Sequence, residues 1–301
     1  MKQLEHITKS PITNKDLSPF LVCKDHTVSQ EDFALLKDES IDFLVTSPRP
    51  NPQDLMGYYE SEDYISHTDT KATLFDIVYQ SVRKFTTKKK VQKISKTKKD
   101  IKTILDIGCG TGDFLFACSQ KKWQVFGVEP HNKAREIAKL KSHSEAIFDS
   151  LDNLEKNNPI QKFDVITLWH VLEHVPNLDA YTKTLKRLLQ PDGILIIAVP
   201  NFKSFDAHYY KSFWAAYDVP RHLWHFSPTA IKILFEKSGM KISKTWPMIF
   251  DSFYISLLSE KNRSKSGNFF RAGIIGLWSN FMALFSGHYS SLTYILRNKD
   301  V

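Results

Sequence analysis

Thr103-Ile104-Leu105-Asp106-Ile107-Gly108-Cys109-Gly110-Thr111-Gly112-Asp113-Phe114-Leu115 is the stretch that decides how this chain folds. A short apolar strand, Thr103–Ile107, runs into a turn with glycine at alternate positions, and a helix is predicted over Gly112–Lys121. Glycine removes side chains from the turn, so the backbone can approach a ligand closely and adopt the dihedral angles of a tight strand-to-helix connection. The helix behind it offers free N–H groups and the positive end of its dipole. The spacing is G-x-G-x-G, not the G-x-G-x-x-G of dinucleotide sites, because Asp113 follows Gly112. Asp106 stands just before the turn, where an acid repels a pyrophosphate and suits a cationic amino group. Glu129 ends the next strand, 17 residues after Gly112, where an acid can accept from both ribose hydroxyls.

Outward from this turn, short apolar strands alternate with amphipathic helices. Strands are predicted at Gln124–Val128, Ala146–Phe148, Phe163–Leu168 and Gly193–Val199, and helices at Lys133–Ser142 and Leu178–Leu189. Gly193–Val199 is continuously apolar, as expected of a strand buried on both faces. The alternation argues for a parallel, doubly wound α/β sheet. Ser227-Pro228 opens a helix to Lys237, which Gly239 closes. Lys241–Trp246 and Leu292–Arg297 read as the last two strands, with helices Phe250–Glu260 and Phe269–Phe285 between them.

Several of these segments together resemble class I S-adenosylmethionine-dependent methyltransferases. ILDIGCGTGDFL resembles their first motif, GVEP (127–130) their acidic loop after strand two, FDVITLWHVLEHVPN (163–177) their fourth strand and its exit, and LLQPDGILIIAVPN (188–201) their fifth strand. The resemblance covers roughly residues 100–245, in order. It implies a Rossmann-like sheet of seven strands with an N-terminal extension and a helical insertion before the last strand. It also implies S-adenosylmethionine as cofactor and S-adenosylhomocysteine as product. By the same resemblance Asp106 would hold the methionine ammonium. Gly108, Gly110 and Gly112 would let the backbone pass beneath the cofactor, and Glu129 would bind the ribose. Phe148 and Asp149 would meet adenine, and Trp169 and His170 would line the methionine side.

The acceptor side has two clusters. His170-x-x-Glu173-His174 falls on one face of a helical turn, so a general base with its orienter, or a cation site, is expected there. Val171–Pro176 resembles ubiquinone-biosynthesis O-methyltransferases, where an acid, a Glu and a His bind a metal. Here His170 replaces the first acid, and no metal is expected. The second cluster is the aromatic segment from Pro200 to Ser227, beyond the carboxyl end of a strand, where such sheets bind ligands. Its Asp218-x-Pro220-Arg221-His222-Leu223-Trp224-His225-Phe226-Ser227 resembles a motif in a broad branch of these methyltransferases. His222 or His225 is a candidate base there, beside His170 and His174, because imidazole titrates near neutral pH. The resemblance implies a small-molecule acceptor, aromatic or lipid-like, methylated at oxygen. The alternatives are a tRNA or protein methyltransferase and, from another class, a non-catalytic scaffold.

The remaining features bound the setting. The net charge is +8, and residues 88–99 (KKKVQKISKTKK) hold seven lysines and no acid. A basic run can bind phosphate-rich partners. This one has no aromatic residue to stack on bases, so a solvated linker over 87–100 is expected and nucleic acid is not. Thr73–Phe85 reads as an amphipathic helix. Residues 1–86, with several Ser-Pro turns and Tyr58, Tyr59 and Tyr64, read as a lid region. Cys23 and His26 cannot supply four ligands, so no structural zinc is expected. Three scattered cysteines and an N-terminus without an apolar core point to a cytoplasmic protein. Arg271, Ser279 and Asn280 interrupt the apolar run from 269 to 285, so membrane contact there is expected to be peripheral at most. That run is expected to pack on residues 1–86.

Overall fold

The computed structural model describes residues 4–59, 74–159, 161–264 and 266–299. In chain order its elements are β1 (Leu4–Glu5), β2 (Ser18–Lys24), β3 (Asp32–Asp38), β4 (Phe43–Thr46), β5 (Arg49–Pro50), α1 (Leu74–Thr97), β6 (Thr103–Ile107), α2 (Asp113–Ser119), β7 (Gln124–Val128), α3 (Asn132–Ser142), β8 (Ile147–Phe148), α4 (Leu151–Asn157) and β9 (Phe163–Trp169). They continue as α5 (Leu178–Leu188), β10 (Leu189–Pro200), α6 (Phe205–Tyr210), β11 (Trp224–His225), α7 (Pro228–Lys237), β12 (Met240–Pro247), α8 (Asp251–Arg263), α9 (Phe269–Ser286) and β13 (Ser291–Asn298). The central sheet has seven strands in the order β12-β13-β10-β9-β6-β7-β8. β6 lies parallel between β7 and β9, and β7 pairs parallel with β8. Ile104, Leu105, Val165, Ile166 and the whole of 194–199 are buried, which is why these strands read as continuous apolar runs.

The chain forms two compact units. Residues 68–169, 183–197 and 295–301 make one, and residues 1–67, 170–182 and 198–294 make the other. In the first unit, α1 runs on past Phe85 to Thr97 and carries the lysine run as its C-terminal half. The expected linker over 87–100 is therefore a helix up to Thr97. Lysine is a good helix former, and Val91 and Ile94 give this half a buried face. Lys98 follows, paired with Asp192 at 2.6 Å.

In the second unit, β2, β3, β4 and β11 form an antiparallel sheet in the order β11-β4-β3-β2. Its fourth strand comes from the aromatic segment, with Trp224 opposite Val45 and His225 opposite Leu44. Residues 18–46, within the region expected to be a lid, thus contribute strands to a folded core. Phe33 and Leu35 of β3 and Leu44 of β4 share one cluster with Tyr210, Trp214 and Tyr217. Tyr64 lies outside the described residues. Asp206 of α6 ties this unit together. It accepts from Trp214 Nε1 at 2.8 Å, Ser279 Oγ at 2.6 Å and Ser290 Oγ at 2.5 Å.

The two inserted helices, α8 and α9, pack on each other: a Cβ at Gly276 would lie 2.8 Å from Phe253 Cδ1. Ile275 on the inner face joins the cluster that includes Cys23 and Phe33, whereas Phe270, Leu277, Leu284 and Phe285 of α9 are exposed. By length and composition α9 is apolar enough to cross a membrane, and little of it is buried. In the sequence Ser279 and Asn280 interrupt the apolar run, but in the fold they leave its outer face apolar. Both point inward, Ser279 to Asp206 and Asn280 to the Ile249 carbonyl at 2.9 Å.

Candidate functional site

The glycine turn is built as its sequence requires. Gly108, Gly110 and Gly112 all have positive φ, at 71°, 54° and 80°. At Gly112 an added Cβ would lie 2.8 Å from Ala138 Cα, so the turn seats directly on α3. At Gly110 an added Cβ would meet nothing within 4 Å among the described residues. Glu129 braces the loop from β7: its Oε2 accepts from Gly110 N and its Oε1 from His131 N, both at 2.9 Å. Asp106 is 2% exposed and accepts from Thr167 Oγ1 at 2.6 Å. Burial, with the charge of Glu129 adding to it, pushes its carboxyl up to about 7, against the Thr167 hydrogen bond and the charge of Lys90.

Phe148 ends β8, half-buried, and its carbonyl accepts from Glu129 N at 2.8 Å. Asp149 is exposed and accepts from Ser150 Oγ and Asn153 Nδ2, which hold it below the usual carboxylate range. Trp169, the last residue of β9, stands edge-on to Phe114 with centroids 5.5 Å apart. The Lys90 ammonium lies 3.8 Å from its ring centroid. Lys90 thus has a specific partner, although it belongs to the run expected to be solvated. Asp106, the three glycines, Glu129, Phe148 and Trp169 therefore share one unit, at the carboxyl ends of adjacent parallel strands. A cleft of about 610 Å³, lined by Lys98, Lys102, Asp164 and Arg297, opens at the opposite ends of those strands. Ligands of such sheets bind at the carboxyl ends.

The imidazole groups gather in the other unit. Residues 172–174 form a single 3-10 turn, and His170 precedes it with φ at 58°, so the expected α-helical face is absent. The three residues still converge, because the left-handed residue turns the His170 ring back onto Glu173, Nδ1 to Oε1 at 3.4 Å. Its Nε2 reaches Asp251 Oδ2 of α8 at 3.2 Å. Burial alone would lower His170, but Asp251 and Glu173 outweigh it and raise the group to about 9. Asp251 was not among the sequence candidates; nothing in the inserted helix signalled it.

His174 Nδ1 lies 3.0 Å from the Arg221 carbonyl and 3.0 Å from the Tyr59 hydroxyl. Burial, then the neighbouring His222, lowers His174 to about 4. The two rings stand edge-on, 4.7 Å apart. His222 Nδ1 donates to the Ala216 carbonyl at 2.9 Å. His225 lies on β11, 4% exposed, with Nε2 3.1 Å from Thr46 Oγ1. Burial, then His222, keeps it well below the usual imidazole range. Arg221 is buried in a fork with Asp218 and Asp25 and donates to the Tyr58 carbonyl at 3.0 Å. Burial would lower its pKa, and the two carboxylates raise it above the ordinary guanidinium value.

A family profile described as a methyltransferase domain matches residues 79–245, more than half of the chain. The ubiquinone biosynthesis O-methyltransferase of Bradyrhizobium diazoefficiens is 35% identical over 107 residues, which cover 34% of this chain and 42% of that protein. The enzyme of the same name from Rhodopseudomonas palustris is 27% identical over 158 residues, covering 49% and 62%. The chain spans about half the length of these curated relatives. Among solved structures, magnesium protoporphyrin IX methyltransferase from Synechocystis with bound SAH superposes with a TM-score of 0.53 at 14% identity, over 82% of this chain and 100% of that one. At that identity the likeness speaks for the fold. The chain belongs to the methyltransferase-domain family, on the fold of class I S-adenosylmethionine-dependent methyltransferases.

Proposed function

We propose that this protein transfers the methyl group of S-adenosylmethionine to an oxygen of a small-molecule acceptor, releasing S-adenosylhomocysteine. The observation that carries the reading is the open glycine turn flanked by a buried Asp106 and a braced Glu129. In this reading the ionised Asp106 meets the methionine ammonium and Glu129 accepts from the ribose hydroxyls. Phe148 and Asp149 take adenine, and Trp169 and His170 face the methionine side. Transfer from a sulfonium is an in-line displacement, so the protein's work is alignment of the two reactants and removal of one proton. His170, raised to about 9, keeps its proton at neutral pH and does not serve as that base. His225, held by Thr46, orders the loop.

Oxygen as the acceptor atom is supported by the matches to ubiquinone O-methyltransferases. A lipid-like or aromatic acceptor is supported by the exposed apolar side of α9, which we read as meeting a lipid surface from the cytoplasmic side. Co-sedimentation with anionic vesicles tests that contact, and a Phe270→Ser/Phe285→Ser variant is expected to stay in the supernatant. For the reaction, the protein is incubated with S-adenosylmethionine and a panel of phenols, catechols and quinols while S-adenosylhomocysteine release is followed. Turnover with a hydroxylated aromatic is expected. Turnover with tRNA or protein alone would move the function to the macromolecular alternative.

A further inference from the structure

Glu173 is 1% exposed, and among the described residues neither of its carboxylate oxygens has a hydrogen-bond partner. An ionised carboxylate without hydrogen bonds is costly to bury, so such a group calls for a counter-charge. His170 supplies part of one from 3.4 Å. The rest of the environment has the form of a ligand cage. One ligand atom each from Glu173, His174 and His222 lies within 4.8 Å of the others. The Arg221 and Ala216 carbonyls can only accept, so the protons of His174 and His222 sit on Nδ1. Each ring is thereby fixed in the tautomer that leaves its Nε2 lone pair free. Metal-binding histidines are oriented by this same kind of outer hydrogen bond. Asp218, whose Oδ2 lies 3.9 Å from His222 Nε2, is occupied by the Arg221 fork. Tyr59 adds a further hydrogen bond behind His174.

We infer that Glu173, His174 and His222 bind a divalent transition-metal ion. The ligand set differs from the acid, Glu and His of the resembling quinone enzymes. His170, standing where their first acid does, turns to Asp251 instead, and the third ligand comes from His222 in the aromatic segment. Two imidazoles and one carboxylate suit zinc, cobalt(II) or iron(II) better than magnesium or calcium, which prefer oxygen ligands. Three protein ligands leave coordination positions open, as in catalytic rather than structural sites. The inference stands apart from methyl transfer, since ion binding is read directly.

The test uses untagged full-length protein stripped with a chelator and titrated separately with Zn²⁺, Co²⁺ and Mg²⁺. One equivalent of Zn²⁺ or Co²⁺ is expected, with visible Co²⁺ bands, and Mg²⁺ should bind at least roughly a hundredfold more weakly. Glu173→Gln and His222→Asn should each weaken Zn²⁺ by about a hundredfold or more, with folding verified by circular dichroism. X-ray absorption of the zinc-loaded wild type needs no variant, and it should show two imidazoles, a carboxylate oxygen and no sulfur. No stoichiometric Zn²⁺ or Co²⁺, an unchanged affinity in both variants, a sulfur ligand from a cysteine, or equal binding of Mg²⁺ would each overturn the inference. S-adenosylmethionine titrated into the stripped protein reports separately on the cofactor reading.

Discussion

Asp106 gives the sharpest test of how the cofactor is held. Its carboxyl is elevated from 3.8 to about 7 because burial strips it of water, and Thr167 and the charge of Lys90 compensate in part. That elevation corresponds to roughly 4 kcal/mol of disfavoured ionisation. In the free protein, Asp106 therefore contributes stability that is complete below pH 4 and lost as the pH rises through about 7. A bound ammonium supplies the missing counter-charge, so binding selects the ionised form and releases a proton below pH 7. Relative to a fully ionised carboxyl, binding of S-adenosylmethionine should be roughly tenfold weaker at pH 6 and about a hundredfold weaker at pH 5. Calorimetry in buffers of different ionisation enthalpy would count the released proton, which should approach one at pH 6. Asp106→Asn should bind more weakly at pH 8 and show no proton release near pH 6. A wild-type Kd unchanged between pH 5 and 8 would refute the assignment of Asp106 to the ammonium.

Other positions give independent checks. Gly112→Ala forces a Cβ to 2.8 Å from Ala138 Cα at a φ of 80°, so it should cost about 3 kcal/mol and lower Tm by roughly 6–10 °C. A melting curve that overlays wild type would contradict the close approach. Arg221→Ala leaves Asp25 and Asp218 without their cation and should lose about 3–5 kcal/mol in urea unfolding. Arg221→Lys should recover only part of this, since ammonium cannot reproduce the fork. A loss below about 1 kcal/mol for the alanine variant, the range of exposed ion pairs, would mean that the fork contributes little.

Much of the first unit was legible because one residue type answers one local demand. Gly108, Gly110 and Gly112 are glycines because of positive φ. The runs around Ile104, Ile166 and Ile196 are apolar because both sheet faces are covered. One signal of the same local kind lies in the second unit, where Ser227-Pro228 marks a helix start through a side-chain cap to Ala230 N at 3.1 Å. The second unit was less legible, because its logic is long-range. β11 is two residues, and nothing local shows that Trp224 and His225 pair with Val45 and Leu44, far away in sequence. The partners of His170 and Arg221, Asp251 and Asp25, lie equally far along the chain. The lysine run resembles a linker because like charges dominate it, while Val91 and Ile94 give its helix a buried face.

The central claim is tested most directly by calorimetric titration of the purified protein with S-adenosylmethionine and S-adenosylhomocysteine, with Glu129→Ala alongside. Glu129 holds the glycine loop through Gly110 and is assigned to the ribose, so its loss should weaken both ligands by at least about tenfold. One-to-one binding of both ligands by wild type, weakened in the variant, is the predicted result. No heat with either ligand, or identical affinity in Glu129→Ala, would contradict the cofactor site and leave the fold as a scaffold.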